Sequence, residues 1–490
     1  MSAAPPPRSS STASSRPPVG RTALRPLEMV TLVHVGFLLL ASAWYFGGES
    51  AGAWRLLCGW GSLGALITVA ASTARGPPGA DARRQLRELW PIAAFNALVL
   101  LSCLNPSFSV KVFEGQALLA YQGATHPALP STADAATSLR HLGLFDVAFL
   151  SCFNLTLVIQ RRRALRALLL VAGANGVLLA VFGTFQKLVA TGLYFGRVPS
   201  PNPRFFATFI YGNHWAAYVV LMIAIVAGLT FFYVQRHARG QRNGSPLPVG
   251  VSAVLLMAMT PVICGSRAGT GLVLVLLAGA VSQALVHRWR RRRGHRDSVA
   301  WPLAGLGFCV ALTAGGAVYL GRAAWRERWT DTQSQWQTGL VRERLALYAD
   351  TWTLAAAQPL FGWGLGNFDK AMLLARPRPV EPRRQYEHSY VDAHSDWLQS
   401  VTEVGFVGTL LVALCALLPL RHLRARHFAG SLVGYLLAGC GLILLYAAVE
   451  FPFGNPAVVI GFWTCFFCAV HHGRLQDRKT GHHPSPSPAP

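Results

Sequence analysis

Long apolar runs alternate with short polar connections along most of the chain. About twelve apolar spans can be marked, at roughly 27–46, 51–73, 89–104, 142–159, 165–189, 213–234, 249–265, 269–286, 300–321, 398–420, 430–449 and 456–471, each near the roughly 20 residues an α-helix needs to cross a bilayer. Inside lipid a backbone must satisfy its own hydrogen bonds, which a helix does within one segment. The pattern predicts an all-α fold, a polytopic membrane helix bundle of about 12 transmembrane helices. Residues 27–321 would hold spans 1–9 and residues 398–471 spans 10–12. The connection between them, 322–397, is far longer than any other. Long connections usually carry function, and this one has helical periodicity and aromatic residues. It is read as a large helical loop on the outer face. The outer segments 105–141 and 190–212 are expected to pack beside it. The tails, 1–26 and 472–490, are rich in Ser, Pro and Arg and are expected to be disordered.

Composition supports this reading. Hydrophobic residues make up 52% of the chain and charged residues only 13%, about half the share in a soluble domain. The net charge of +24 would suit a nucleic-acid binder, but its placement argues against one. More than half of the 44 Lys and Arg residues fall in bursts between alternate spans, which is positive-inside topology. Both termini are then cytoplasmic and 322–397 is periplasmic. The triplet Ala41-Ser42-Ala43 resembles a signal-peptidase site; cleavage there would leave eleven spans. The cysteines sit in or beside apolar runs without metal-ligand spacing, so no metal site is expected.

The candidate chemistry crowds the outer face. Arg267 lies in the turn between spans seven and eight, where a guanidinium suits an anionic group such as a diphosphate. Arg204 lies in an aromatic setting just before span six. Arg342 and Arg344 open a helical stretch in the long loop, on different faces, while Leu340, Leu347, Thr351 and Leu354 share a stripe. Gly364 and Gly366, in Phe361-Gly-Trp-Gly-Leu-Gly-Asn367, read as a tight turn that ends this helix. No strand precedes them, so a dinucleotide loop is excluded. His388 and His394 lead into span ten. Asp392 is expected to cap that helix and put His394 in its first turn, where the dipole favours the neutral imidazole of a general base. Glu403 falls on the opposite face from His394 and is expected to bond a neighbouring helix.

These motifs in this order resemble the O-antigen ligase/polymerase family: Ser266-Arg267-Ala268-Gly269, Arg344 with Tyr348, Pro359 to Phe368, and Ala393-His394-Ser395-Asp396-Trp397-Leu398-Gln399 with Glu403 and Gly405. The resemblance spans about 200–470. It implies a bacterial inner-membrane glycosyltransferase that moves a glycan from undecaprenyl diphosphate to an acceptor hydroxyl, on a glycan or another lipid-linked acceptor. It implies that neither a metal nor a nucleotide sugar takes part, so no cofactor is expected. It also implies catalytic roles for Arg267 and Arg344 on the diphosphate and for His394 as base. Arg204, Arg342 and His388 join them here as substrate-binding candidates, and Glu403, Gly364 and Gly366 as structural ones. Ser395 stands where the family often has Asn, a variant that resembles members from exopolysaccharide clusters. The expected partners are the lipid bilayer, the lipid-linked donor, the acceptor and other polysaccharide-assembly proteins, with no nucleic acid. The alternative is a transporter or flippase of a polysaccharide precursor or small anion. That alternative predicts repeated halves and charges near the midplane; the sequence has neither.

Overall fold

The structure, a computed structural model, describes residues 26–74, 77–189, 192–202, 204–240, 245–292, 315, 319, 340–374, 390–428 and 431–477. Among them, eight helices are long and apolar enough to cross a membrane, or up to nine if a bent pair counts as one span. In chain order the first are α1 (Pro26–Trp44), α2 (Ala51–Gly61) with α3 (Leu63–Thr73), and α4 (Pro77–Glu88) with α5 (Trp90–Cys103), the latter two bent by 53°. Then come α6 (Ala135–Val158), α7 (Arg162–Val189), α8 (Gly212–His237), α9 (Leu247–Ile263) and α10 (Arg267–Arg292). After a gap follow α11 (Leu340–Ala357), α12 (Phe368–Ala371), α13 (Asp396–Leu420), α14 (Ala425–Phe428), α15 (Leu432–Tyr446) and α16 (Pro456–Asp477). The chain is a polytopic helical membrane protein. Every expected span coincides with a helix or a broken helix pair except 300–321, of which only Gly315 and Tyr319 are described.

The centre of the bundle is α8 with α16. Trp215 through Ala224 of α8 all have 0% exposure, and α8 packs on α7, α9, α10, α15 and α16. A helix that is apolar all round has no polar face to turn outward and so belongs in the middle. The outer helices stay apolar on their exposed faces too: Val30 and Val33 of α1, Leu178 and Phe185 of α7, and Leu274 and Val275 of α10 are more than half exposed or nearly so. In a water-soluble protein such a surface is rare; against lipid it is expected.

Two small two-stranded sheets accompany the helices. β1 (Phe108–Phe113) pairs antiparallel with β2 (Gln116–Tyr121), Phe108 opposite Tyr121. The other sheet joins β3 (Leu193–Tyr194) to β4 (Val198–Pro199). The signal for the first was present. Phe108-Ser-Val-Lys-Val-Phe113 alternates with period two, and Glu114-Gly115 takes positive φ at both turn positions, 51° and 78°, as a two-residue hairpin requires.

Helix α13 breaks at Gly405, whose φ 66°, ψ −176° lies in a region essentially reserved for glycine. The break leaves amide N–H groups without helical acceptors, and a neighbouring loop takes them: Phe406 N donates to Pro359 O at 2.8 Å and Val407 N to Leu360 O at 3.1 Å. A Cβ at position 405 would meet Leu360 O at 2.2 Å. Gly405→Ala is expected to destabilise the fold by at least about 2 kcal/mol. Gly279→Ala, in α10 with nothing within 4 Å, is expected to stay within about 1 kcal/mol of the parent. Melting temperature in detergent compares the two; similar values would contradict the packing described here.

Candidate functional site

The site is built by fastening α11 to α13. Helix α11 turns Leu347, Thr351 and Leu354 inward, all under 5% exposed, and Thr402 Oγ1 of α13 reaches Thr351 O at 3.4 Å. The glycine-rich turn then clips the two together. Trp363 N donates to Thr402 O at 2.9 Å and Gly364 N to Glu403 O at 2.8 Å. The Trp363 indole N–H donates to Leu354 O at 2.9 Å. Gly362, Gly364 and Gly366 all have positive φ, and a Cβ on Gly362 would strike the Glu403 backbone at 2.5 Å. Glu403 closes the clip: Oε2 accepts from Gly366 N at 2.6 Å, and Oε1 from Gln399 Nε2 at 2.9 Å. Its partners are thus this turn and its own helix, not the neighbouring helix expected from the sequence. The segment 105–141 packs on the same turn, with Ala133 N bonded to Trp363 O at 2.9 Å and Asn367 Nδ2 to Thr132 Oγ1 at 3.0 Å.

That frame holds Arg344 and Tyr348 against the entry to α13. The cap of α13 is Ser395, whose hydroxyl accepts from Leu398 N at 3.4 Å, and the helix begins at Asp396. Asp392 is therefore not the cap, and His394 precedes the helix instead of lying in its first turn. The extended φ of −157° at Ser395 is what a cap needs, and it shifts the start three residues along. His394 itself takes the left-handed φ of 51°. Its carbonyl accepts from the Tyr348 hydroxyl at 3.1 Å, and Ala393 N donates to Gln399 Oε1 at 3.1 Å. Its ring meets Phe451 edge to face, with centroids 5.1 Å apart.

Glu450, between α15 and α16, completes the group. It is 6% exposed. Its Oε1 accepts from Asn213 Nδ2 at 3.0 Å and lies 3.6 Å from the Arg344 guanidinium. Oε2 lies 3.7 Å from His394 Nδ1. The Glu450 carbonyl also accepts from Asp396 N at 3.2 Å, and Asp396 Oδ2 accepts from Phe453 N at 2.9 Å. So the 450–453 turn is tied to the start of α13 twice.

A second imidazole sits behind Phe451. His214 Nδ1 is 2.5 Å from Glu49 Oε1, which also accepts from Asn455 Nδ2 at 2.7 Å. The His214 and Phe451 ring centroids are 5.0 Å apart, and Tyr211 stacks on Phe451. Burial pushes the Asp392 carboxyl above its ordinary value, opposed by the nearby His214 and His394. Burial likewise raises the Tyr348 phenol, with Arg344 pulling the other way.

The remaining sequence candidates fall as follows. Arg267 is the exposed first residue of α10, and the Ser266 before it is fully buried. The Tyr446 hydroxyl lies beside Ser266 and feels the Glu450 charge, so the Arg267 turn sits at the same end of the bundle. Arg204 is half-buried, with its amide bonded to Asn202 Oδ1 at 2.9 Å. Its carbonyl abuts Gly212, which also lies against Cys264. Arg342 lies in α11, its side chain outside what the structure describes, and His388 lies outside the described residues. Sequence reasoning missed Glu450, Glu49, His214 and Asn213. The signal was faint: Glu49 and Glu450 are lone carboxylates in short connections between apolar spans, with no spacing that marks them. Among the described residues no group of three or more His, Cys, Asp and Glu side chains is arranged to hold a metal ion.

Residues 252–413 match the model of the O-antigen ligase family. The match covers the stretch that carries Arg267, Arg344, His394 and Glu403, and it supports the resemblance seen in the motifs. At a coarse level it supports glycan transfer in O-antigen assembly, with lipid-linked glycans as substrates. No curated protein matches the chain. Glu450, His214 and Glu49 all lie outside the ligase-family segment yet border its central residues.

The Glu49–His214 pair is open to test by pH. Burial alone would raise the Glu49 carboxyl, but the hydrogen bond and charge of His214, helped by Asn455, hold it below its ordinary value of 4.5. A group lowered in this way adds stability above its unfolded pKa, and loses it as pH falls through the folded one. The melting temperature of the parent is therefore expected to fall as pH drops below 4.5. Glu49→Gln is expected to melt lower at neutral pH and to lose less on acidification. Parallel acid losses in both proteins would show that Glu49 is not the group held down.

Proposed function

We propose that the chain transfers a glycan from undecaprenyl diphosphate to an acceptor hydroxyl at the periplasmic face of the bacterial inner membrane. It would act as a ligase or polymerase in O-antigen or exopolysaccharide assembly, with both termini in the cytoplasm. The observation that carries this reading is the meeting of Arg344 and His394 on one buried carboxylate, within a segment that matches the O-antigen ligase family. The orientation draws support from charge: Arg236 lies at the far end of α8 from His214, and Arg162 and Arg166 open α7.

The reaction is a single displacement with inversion. The acceptor oxygen forms a bond to the anomeric carbon while the bond from that carbon to the diphosphate oxygen breaks, its electron pair leaving with the diphosphate. The His394 imidazole takes the acceptor proton. Arg344 and Arg267 face the charge that grows on the leaving group, an interaction strongest in the transition state. Arg204, Arg342 and His388 bind the substrates around them. Guanidinium groups take the place that a divalent cation has in other transferases, because they remain charged at any working pH and can grip phosphate with two donors. Turnover is therefore metal-independent.

The test uses purified protein with a lipid extract from a deletion strain, which holds accumulated donor and acceptor, and follows release of undecaprenyl diphosphate. With EDTA present the parent is expected to remain fully active, His394→Ala to lose about 10²–10⁴-fold, and Arg344→Ala or Arg267→Ala about 10²–10³-fold. Activity that vanishes with EDTA would overturn the metal-independent mechanism. A fully active His394→Ala would remove the base. Product length separates the two branches: single repeats accumulate when a polymerase is lost, whereas long chains stay on the lipid carrier when a ligase is lost.

A further inference from the structure

Glu450 enters the site as a buried charge, and a buried charge needs partners. One oxygen is supplied, by the Asn213 amide at 3.0 Å and Arg344 at 3.6 Å. The other, Oε2, is fully buried and has no hydrogen-bond partner. It faces His394 Nδ1 at 3.7 Å, and Nδ1 is likewise buried and without a hydrogen-bond partner. Two orphaned atoms of complementary chemistry thus point at each other, and buried polar atoms of this kind seldom stay unsatisfied. Hydrogen bonds at such sites are often long before substrate binds and tighten in the complex.

Three of the neighbouring carboxylates are already engaged. Glu49 is held by His214 and Asn455. Asp396 takes the Phe453 amide. Glu403 takes Gly366 and Gln399. Asp392, the remaining acid near His394, lies close to Gln399. Among these, only Glu450 has a carboxylate oxygen within 4 Å of a His394 ring nitrogen. The Glu49–His214 pair shows the same device already closed, at 2.5 Å, but the His214 side chain is 7% exposed against 29% for His394. Of the two imidazoles, His394 is the one a ligand can reach.

We infer that Glu450 is a positioning residue: it holds His394 through Nδ1 and thereby leaves Nε2 to receive the acceptor proton. The inference rests on the reading of His394 as the base. With the Nδ1 proton donated to Oε2, the lone pair lies on Nε2. As Nε2 gains the acceptor proton, Glu450 stabilises the imidazolium without taking a proton itself. Through its other oxygen the same carboxylate anchors Arg344, so base and leaving-group cation share one support. Among the described residues, the charged and titratable groups around His394 are Glu450, Arg344, Tyr348, Asp392 and Asp396, with His214 across Phe451.

Glu450→Gln tests this, because it keeps the size and an oxygen for Asn213 while removing the charge. In the undecaprenyl diphosphate release assay, its rate at optimum pH is expected to fall at least about tenfold. The acid limb of its pH–rate profile is expected to move down by about one pH unit, as an anion within 4–6 Å favours the protonated imidazole. Glu450→Asp is expected to recover part of both, and it serves as the readout if Glu450→Gln fails to fold. A Glu450→Gln with the parent's rate and profile overturns the inference, as does a slow variant whose acid limb has not moved. These outcomes are distinct from failure of the base itself, which would appear as activity in His394→Ala.

Discussion

Lipid offers no hydrogen bonds, so every polar group that enters the bundle must meet its partner inside the protein. This constraint sorts the chain. The middles of α8 and α16 carry almost nothing but apolar side chains, and charge collects where the helices end. At one end Arg426 and His427 meet Asp477 at 2.7 Å, and Arg421 and His422 meet Glu88 at 3.1 and 2.9 Å. At the other, Glu49, Glu450 and Asp396 meet two imidazoles, a guanidinium and backbone amides. The first set pairs basic residues in excess, as a cytoplasmic face would. The second sets buried carboxylates against imidazoles and one guanidinium, which is how titratable groups are held for chemistry.

The constraint also explains why α13 can break. A helix interrupted at Gly405 would strand its amides in lipid, yet Pro359 and Leu360 receive them. The glycine-rich turn is the counterpart of that break, since only residues without a Cβ let its backbone come so near Thr402 and Glu403. Turn and break are one joint seen from two sides. It fixes the distance between α11, which carries Arg344, and the approach to α13, which carries His394. A contact of 3.6 Å to Glu450 could not persist if either element slid by one turn, about 5.4 Å along a helix axis.

Much of the fold was legible because the apolar spans and the arginine bursts are long-range patterns that survive errors of several residues. Boundaries and partners were less so. Asp392 and Ser395 are both good capping residues, and only the extended backbone at Ser395 decides between them. Glu403 reads as a lone acid within a span, which sequence logic assigns to a neighbouring helix; a turn some forty residues earlier in the chain takes it instead. The hairpin at 108–121 was written in its alternation but hidden by the membrane pattern around it. Arg267, Arg344 and His394 were visible because they stand out in motif-bearing segments. Their supports, Glu450 and Asn213, were not, because a single Glu or Asn beside an apolar span carries no spacing.

That difference bears on how the site is composed. The ligase-family match ends at residue 413, so the matched segment supplies Arg344 and His394 but not the anion between them. The anion comes from the turn before α16, and its amide partner from the first turn of α8. A buried carboxylate without that amide and guanidinium would be costly, and an imidazole without the carboxylate would leave a ring nitrogen unsatisfied. The two parts of the chain therefore stabilise each other's charges. The site exists only when α8, α13 and α16 are packed together, which ties its electrostatics to the folding of the whole bundle.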